Sequence, residues 1–166
     1  AAKLGIDPEQ IVAGGGSAGG HIAAATALVS AFNEEDEDTS VSCIPKALLL
    51  FNPVFDNGPD GFGHNLVKPY WEKISPIEHI DEQTPPTMVL LGTKDTYIPV
   101  KTAKRFEQQM KENNRRCDLH LYVGAKHGWY NLWVSREAMA ESLIRMDRFL
   151  CSLGYLEGEP ILELKN

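Results

Sequence analysis

The stretch Ile11-Val12-Ala13-Gly14-Gly15-Gly16-Ser17-Ala18-Gly19-Gly20-His21 holds the most reactive arrangement in the chain. Ser17 stands in a G-x-S-x-G pattern, after a short apolar and small-residue run and before a long apolar one. A strand that turns abruptly into a helix drives its turn residue towards positive φ, which is costly for any residue with a Cβ. Gly15 and Gly19 leave room for such a turn, and the serine hydroxyl then stands clear of the backbone. At a helix N-terminus, unpaired N–H groups and the helix dipole favour developing negative charge. The expected chemistry is that of a serine nucleophile. Two blander readings compete. Gly14-x-Gly16-x-x-Gly19 superficially fits a dinucleotide-binding turn, although no acidic residue ends a second strand about 20 residues on, where residues 34–38 are a run of charges. Close packing alone would also explain the glycines.

A serine hydroxyl needs a base within hydrogen-bond reach, ordinarily a histidine oriented by a carboxylate. Five histidines compete. His21 is one helical turn past Ser17, His64 lies in a long loop, His79 reads as a surface turn residue and His120 falls inside a strand. His127 follows the carboxyl end of a strand beside Gly128 and is the expected base. For the carboxylate, Asp95 in Gly92-Thr93-Lys94-Asp95 is favoured over Asp56, with Asp60 in reserve; any of the three could instead cap a helix or close a turn.

These residues must be positioned by strands and helices in alternation. Residues 11–14, 46–51 and 87–92 read as buried strands. Residues 118–123 alternate apolar and polar as an edge strand would. Helices are expected over 18–32, buried nearly all round, and over 100–113, opened by Pro99. A third is expected over 135–153, with Ser135 as N-cap, Gly154 past its end and Met139, Leu143, Met146 and Leu150 as its buried stripe. Residues 54–76 form a long loop, functional or partly helical. This order predicts right-handed β-α-β units and a mostly parallel sheet of about four strands, whose ligands bind beyond the strands' carboxyl ends.

The order Ser17, Asp95, His127 is the Ser…Asp…His order of α/β-hydrolases. With Gly14-Gly15-Gly16-Ser17-Ala18-Gly19-Gly20-His21, Asn52-Pro53-Val54, Leu91-Gly92-Thr93-Lys94-Asp95 with Pro99, and His127-Gly128, the chain resembles the C-terminal portion of an α/β-hydrolase of the esterase/lipase group. The nearest branches are the acetyl-esterase, hormone-sensitive-lipase-like and acetylxylan or feruloyl esterase-like ones. The resemblance implies an α/β fold, Ser17 as nucleophile, Asp95 as orienting acid, His127 as base and the Ala18 N–H as one oxyanion donor. It also implies that the His-Gly-Gly-Gly loop carrying the other donors, and the first strands of the fold, precede what is present here. Residues 1–166 are thus expected to be one domain lacking its N-terminal strands. The strand before Ser17 is then an open edge, expected to pair with a second copy or with the missing half.

The expected activity is hydrolysis of small carboxylic esters, acetyl or another short acyl, with carbohydrate as one candidate alcohol, through an acyl-enzyme and without metal or organic cofactor. Gly16, Phe55, His64, Trp71, Tyr97 and Trp129 are candidates for the substrate pocket, and Phe62, Tyr70 and Tyr130 for its aromatic walls. A non-catalytic half-domain that associates through its sheet edge is the alternative of another class, and peptidase chemistry on the same triad a third. The 166 residues carry a net charge of −7, which argues against a nucleic-acid surface, and no apolar stretch reaches membrane-spanning length. The compartment stays open. Cys43, Cys117 and Cys151 are too few and too scattered for a disulfide framework and read as small buried thiols.

Overall fold

A computed structural model describes residues 2–30, 32, 34–36, 38 and 40–162. Four parallel strands lie side by side in chain order: β1 (Val12–Gly16), β2 (Ala47–Phe51), β3 (Thr87–Gly92) and β4 (Cys117–Tyr122). Their register sets Gly16 beside Phe51, Phe51 beside Leu90 and Gly92 beside Tyr122, so the carboxyl ends of neighbouring strands share one rim. Among the described residues the α-helices are α1 (Ala18–Leu28), α2 (His64–Val67), α3 (Trp71–Ile74), α4 (Val100–Glu112) and α5 (Arg136–Ser152). A strand's side chains alternate between faces, and both faces here are covered. Leu48, Leu50, Val89 and Leu91 pack against α1 and α4, with Ala24, Phe106 and Met110 among their partners. Ala47, Met88 and Leu90 face the other way, onto Met146 and Phe149 of α5 and onto Trp129.

Several boundaries and faces differ from the sequence expectations. α1 stops at Leu28 rather than reaching Phe32, and Ala31 lies outside the described residues. It is not buried all round: Gly20, Ala23, Ala24 and Leu28 face the sheet, while Ile22 is 68% exposed. In α5 the covered face carries Ala140, Ser142, Met146 and Phe149, and Leu143 is exposed. The helix is rotated from the expected stripe because Phe149, the larger side chain, takes the place against the sheet. Ser135 caps it as expected, its hydroxyl accepting from the Ala138 N–H at 3.1 Å, and Gly154 follows at φ 77°. Val123, expected to face inward from β4, lies past the strand's end and is almost fully exposed. Cys43 is exposed rather than buried. Cys117 packs against the core on the α1/α4 face of the sheet, and its burial pushes the thiol up to about 12.

Candidate active site

The rim formed by the strand ends gathers one residue from each strand's exit. Ser17 follows β1, Asn52 follows β2, Asp95 lies in the loop after β3 and His127 in the loop after β4. Ser17 occupies φ 55°, ψ −120°, the strained turn expected of it, and serves as N-cap of α1 without lending its side chain to the cap. Its N–H donates to the Phe51 carbonyl at 2.9 Å and its carbonyl accepts from His21 and Val54 N–H, so the turn is anchored on both sides. The hydroxyl is left for other partners.

Room for this turn comes from glycines that differ slightly from the motif's pair. A Cβ on Gly15 would lie 2.5 Å from the Gly19 carbonyl carbon, and one on Gly20 would lie 2.8 Å from the Pro53 Cβ. A Cβ on Gly19 would meet nothing within 4 Å. The second crowded position is therefore Gly20, packed under Pro53, and not the expected Gly19. At Gly16 a Cβ would overlap the Tyr130 hydroxyl.

His127 Nε2 lies 3.0 Å from Ser17 Oγ, and its Nδ1 lies 2.7 Å from Asp95 Oδ2. The Asp95 carboxylate is fully buried. Its other oxygen accepts N–H bonds from Tyr97 at 2.9 Å and Ile98 at 3.0 Å. A carboxylate held by two backbone donors and an imidazole keeps its orientation. The imidazole itself is 22% exposed, and the edge of the Tyr97 ring meets it at a centroid distance of 4.9 Å. Glycines at φ 76° (Gly124) and φ 75° (Gly128) bend the segment that carries it.

The other candidates for base and acid are engaged elsewhere. The imidazole Nε2 of His21 contacts the Ile74 carbonyl at 2.8 Å and that of His79 contacts the Glu72 carbonyl at 2.8 Å. Arg145 approaches His120 at the far edge of the sheet. Asp56 closes its own turn onto the Gly58 N–H at 2.7 Å and pairs with Arg105 at 3.3 Å. Asp60 approaches Lys101 at 3.8 Å.

The expected pocket residues divide. Tyr97 stands at the site, and through it Phe62, whose ring meets Tyr97 edge-on at 5.8 Å. Gly16 also belongs there, flanking Ser17 beneath Tyr130. Phe55 does not: it is fully buried, stacked on Phe106 with centroids 4.2 Å apart, and is a core residue. His64 Nδ1 contacts the Asn57 carbonyl at 2.9 Å and its ring leans on Trp71, a contact within the long loop. Trp71 itself lines a charged cavity of about 420 Å³ with Asp56, Glu78, Lys101 and Arg105, away from Ser17. Trp129 is buried and stacked on Tyr122 at 3.7 Å. It walls an apolar cavity of about 530 Å³ that His127 also lines but Ser17 does not.

At the rim stand Tyr130, expected as an aromatic wall, and Asn52, which carried no expected role. Tyr130 packs against Phe51 with the rings tilted by 33° and their centroids 4.4 Å apart. Burial pushes its phenol up, opposed by hydrogen bonding from Asn52. Asn52 is fully buried and at φ 32°. The signal that could have marked it is its place: a polar residue ending an otherwise apolar interior strand.

Comparison with known proteins gives two family matches, to the alpha/beta hydrolase fold over residues 1–73 and to the prolyl oligopeptidase family over residues 52–151. Among curated relatives is a probable carboxylic ester hydrolase, LipM, of Mycobacterium tuberculosis. It is 27% identical across 91% of this chain and 39% of its own length. A probable isoprenylcysteine alpha-carbonyl methylesterase of Oryza sativa is 29% identical across 76% of this chain and 35% of its own. Among solved structures, Thermogutta terrifontis esterase 2 phosphoramylated by tabun superposes with a TM-score of 0.88 at 36% identity, over 95% of this chain and 60% of that one. The propionate-bound form of the same esterase gives 0.86 at 35% identity. The chain thus spans about a third to three-fifths of these relatives' lengths. Fold, strand order and both family matches agree, and the chain belongs to the α/β-hydrolases, a superfamily that includes the prolyl oligopeptidase family, and within it to the esterase/lipase group.

Proposed function

We propose that this chain carries the triad of a serine esterase acting on small carboxylic esters, with Ser17 as nucleophile, His127 as base and Asp95 as orienting acid. The observation that carries the reading is the unbroken hydrogen-bonded line from Asp95 Oδ2 through both imidazole nitrogens to Ser17 Oγ. As Ser17 Oγ bonds to the ester carbonyl carbon, its proton passes to Nε2 and the carbonyl electrons move to oxygen. The Ala18 N–H is at the start of α1, where amides have no helical partner, and it stabilises that oxyanion. Collapse expels the alcohol, which takes the proton from Nε2. Water then repeats the sequence in reverse on the acyl-serine. A single oxyanion donor is worth about 10²–10³ in rate, so any further donor raises turnover substantially.

A short acyl group is the proposed substrate class, supported by the propionate- and butyrate-bound forms of the Thermogutta esterase. The match to the prolyl oligopeptidase family over residues 52–151 keeps amide cleavage as the rival. Hydrolysis of p-nitrophenyl acetate and butyrate against a prolyl p-nitroanilide separates the two. Ester turnover that disappears in Ser17→Ala supports the esterase; anilide turnover at comparable rates contradicts it.

We also propose that β1 pairs with a further strand, from a second copy or from another part of the protein. β1 neighbours β2 alone among the described strands, and Ile11 and Ile22 are 51% and 68% exposed. Sedimentation at micromolar concentration showing a well-folded monomer with this edge bare would count against it.

A further inference from the structure

Asn52 sits where β2 ends, with its side chain against the loop that carries His127. Its backbone N–H is bound to the Leu90 carbonyl at 2.8 Å, so its position belongs to the sheet and not to a mobile loop. The residue is fully buried and holds φ 32°, in the positive region that asparagine enters more readily than most residues with a Cβ. Its amide reaches both parts of the neighbouring segment. Oδ1 accepts from the Gly128 N–H at 3.3 Å, and Nδ2 lies 3.3 Å from His127 Nε2.

The chemistry of these partners fixes which way the amide points. A backbone N–H can only donate, so the atom facing Gly128 must be the oxygen. The nitrogen then faces Nε2 and shares its single lone pair with the Ser17 hydroxyl, as the longer arm of a three-centre bond, which places the ring's proton on Nδ1, against Asp95. Asp95 thus selects the tautomer from one side of the ring and Asn52 from the other. That tautomer is the one a base for Ser17 requires.

We infer that Asn52 is a positioning residue for His127: its amide bridges the imidazole and the Gly128 backbone, holding the ring with Nε2 unprotonated and within reach of Ser17. The inference rests on the proposed triad. Around the ring, Asp95 is the charged group in contact and Tyr97 the titratable one, both from the loop after β3. Ser17 and Asn52 supply the neutral partners at Nε2.

The test uses Asn52→Gly and Asn52→Asp, each checked for folding by circular dichroism and melting. Glycine tolerates the positive φ and removes the amide. Aspartate keeps the shape and the acceptor for Gly128, but turns an acceptor towards Nε2. The rate of Ser17 modification by a fluorophosphonate is then measured between pH 5 and 9. Asn52→Gly is expected to slow it about tenfold or more, within the ~10²–10⁴ that a positioned base contributes. Asn52→Asp is expected to move the acid limb of the profile to higher pH, because its carboxylate favours a protonated Nε2. Folded variants that react at the wild-type rate with the wild-type profile would overturn the inference, as would an equal loss at every pH in both. A wild-type protein that is not modified at Ser17 would remove the triad reading itself; a reactive wild type with indifferent variants removes only the role of Asn52.

Discussion

His127 Nε2 and Ser17 Oγ stand 3.0 Å apart although 110 residues separate them in the chain. Neither residue's own element brings this about. The parallel register of β1 to β4 sets the strand exits along one rim, and each side chain reaches the same place from its own exit.

Asp95 acts at the far side of the ring, and replacing it by asparagine separates orientation from packing. The amide oxygen can still accept from Tyr97 and Ile98 N–H, so the loop keeps its shape. The amide nitrogen then faces Nδ1 and forces the wrong tautomer. The expected outcome for Asp95→Asn is a fall in kcat of about 10³–10⁴ with a near-normal melting temperature. Steady-state kinetics on p-nitrophenyl butyrate, with a melt on the same sample, check this.

The two motif glycines respond oppositely to alanine. Gly15→Ala drives a Cβ into the Gly19 backbone, which cannot swing aside, and is expected to cost about 1–3 kcal/mol with loss of activity. Gly19→Ala meets open space within a helix and is expected to be neutral or stabilising by about 0.5–1 kcal/mol. Urea denaturation of the two variants measures both values.

That Ser17, Asp95 and His127 come together was legible in the sequence for a physical reason. A G-x-S-x-G turn between an apolar strand and a helix has few structural solutions, and loops at strand carboxyl ends converge in a parallel sheet. Ser17, Asp95 and His127 could therefore be singled out before any geometry was known. Side-chain direction was less legible. Phe55 lies in a loop rich in aromatics, yet it turns inward onto Phe106, because the chain after Pro53 runs down the α1/α4 face of the sheet before it surfaces. In α5, Leu143 and Phe149 belong to overlapping stripes, and spacing cannot choose between them. Asn52 was hidden because an asparagine before a proline reads as a turn, and its bonds to residues 127 and 128 are long-range.

His120, at the outer strand, makes stability depend on pH. Burial, and then the Arg145 charge, hold its imidazole below the usual histidine value, with Asp118 and Glu141 pulling the other way. The unfolded chain binds this proton more readily. Stability is therefore full above about pH 6.5 and is lost as pH falls below it, levelling off under the folded-state value. His120→Gln is expected to flatten part of the decline in melting temperature between pH 7 and 5. An unchanged slope would show that other groups carry it.

The central claim is that Ser17 is made nucleophilic by His127. Incubation with paraoxon followed by peptide mass spectrometry tests it most directly. The expected result is one diethylphosphoryl group per chain on Ser17, none in Ser17→Ala, and a rate lowered at least a hundredfold in His127→Ala, consistent with the ~10²–10⁴ contribution of a general base. Modification of another residue, or of Ser17 at the same rate without His127, would contradict it.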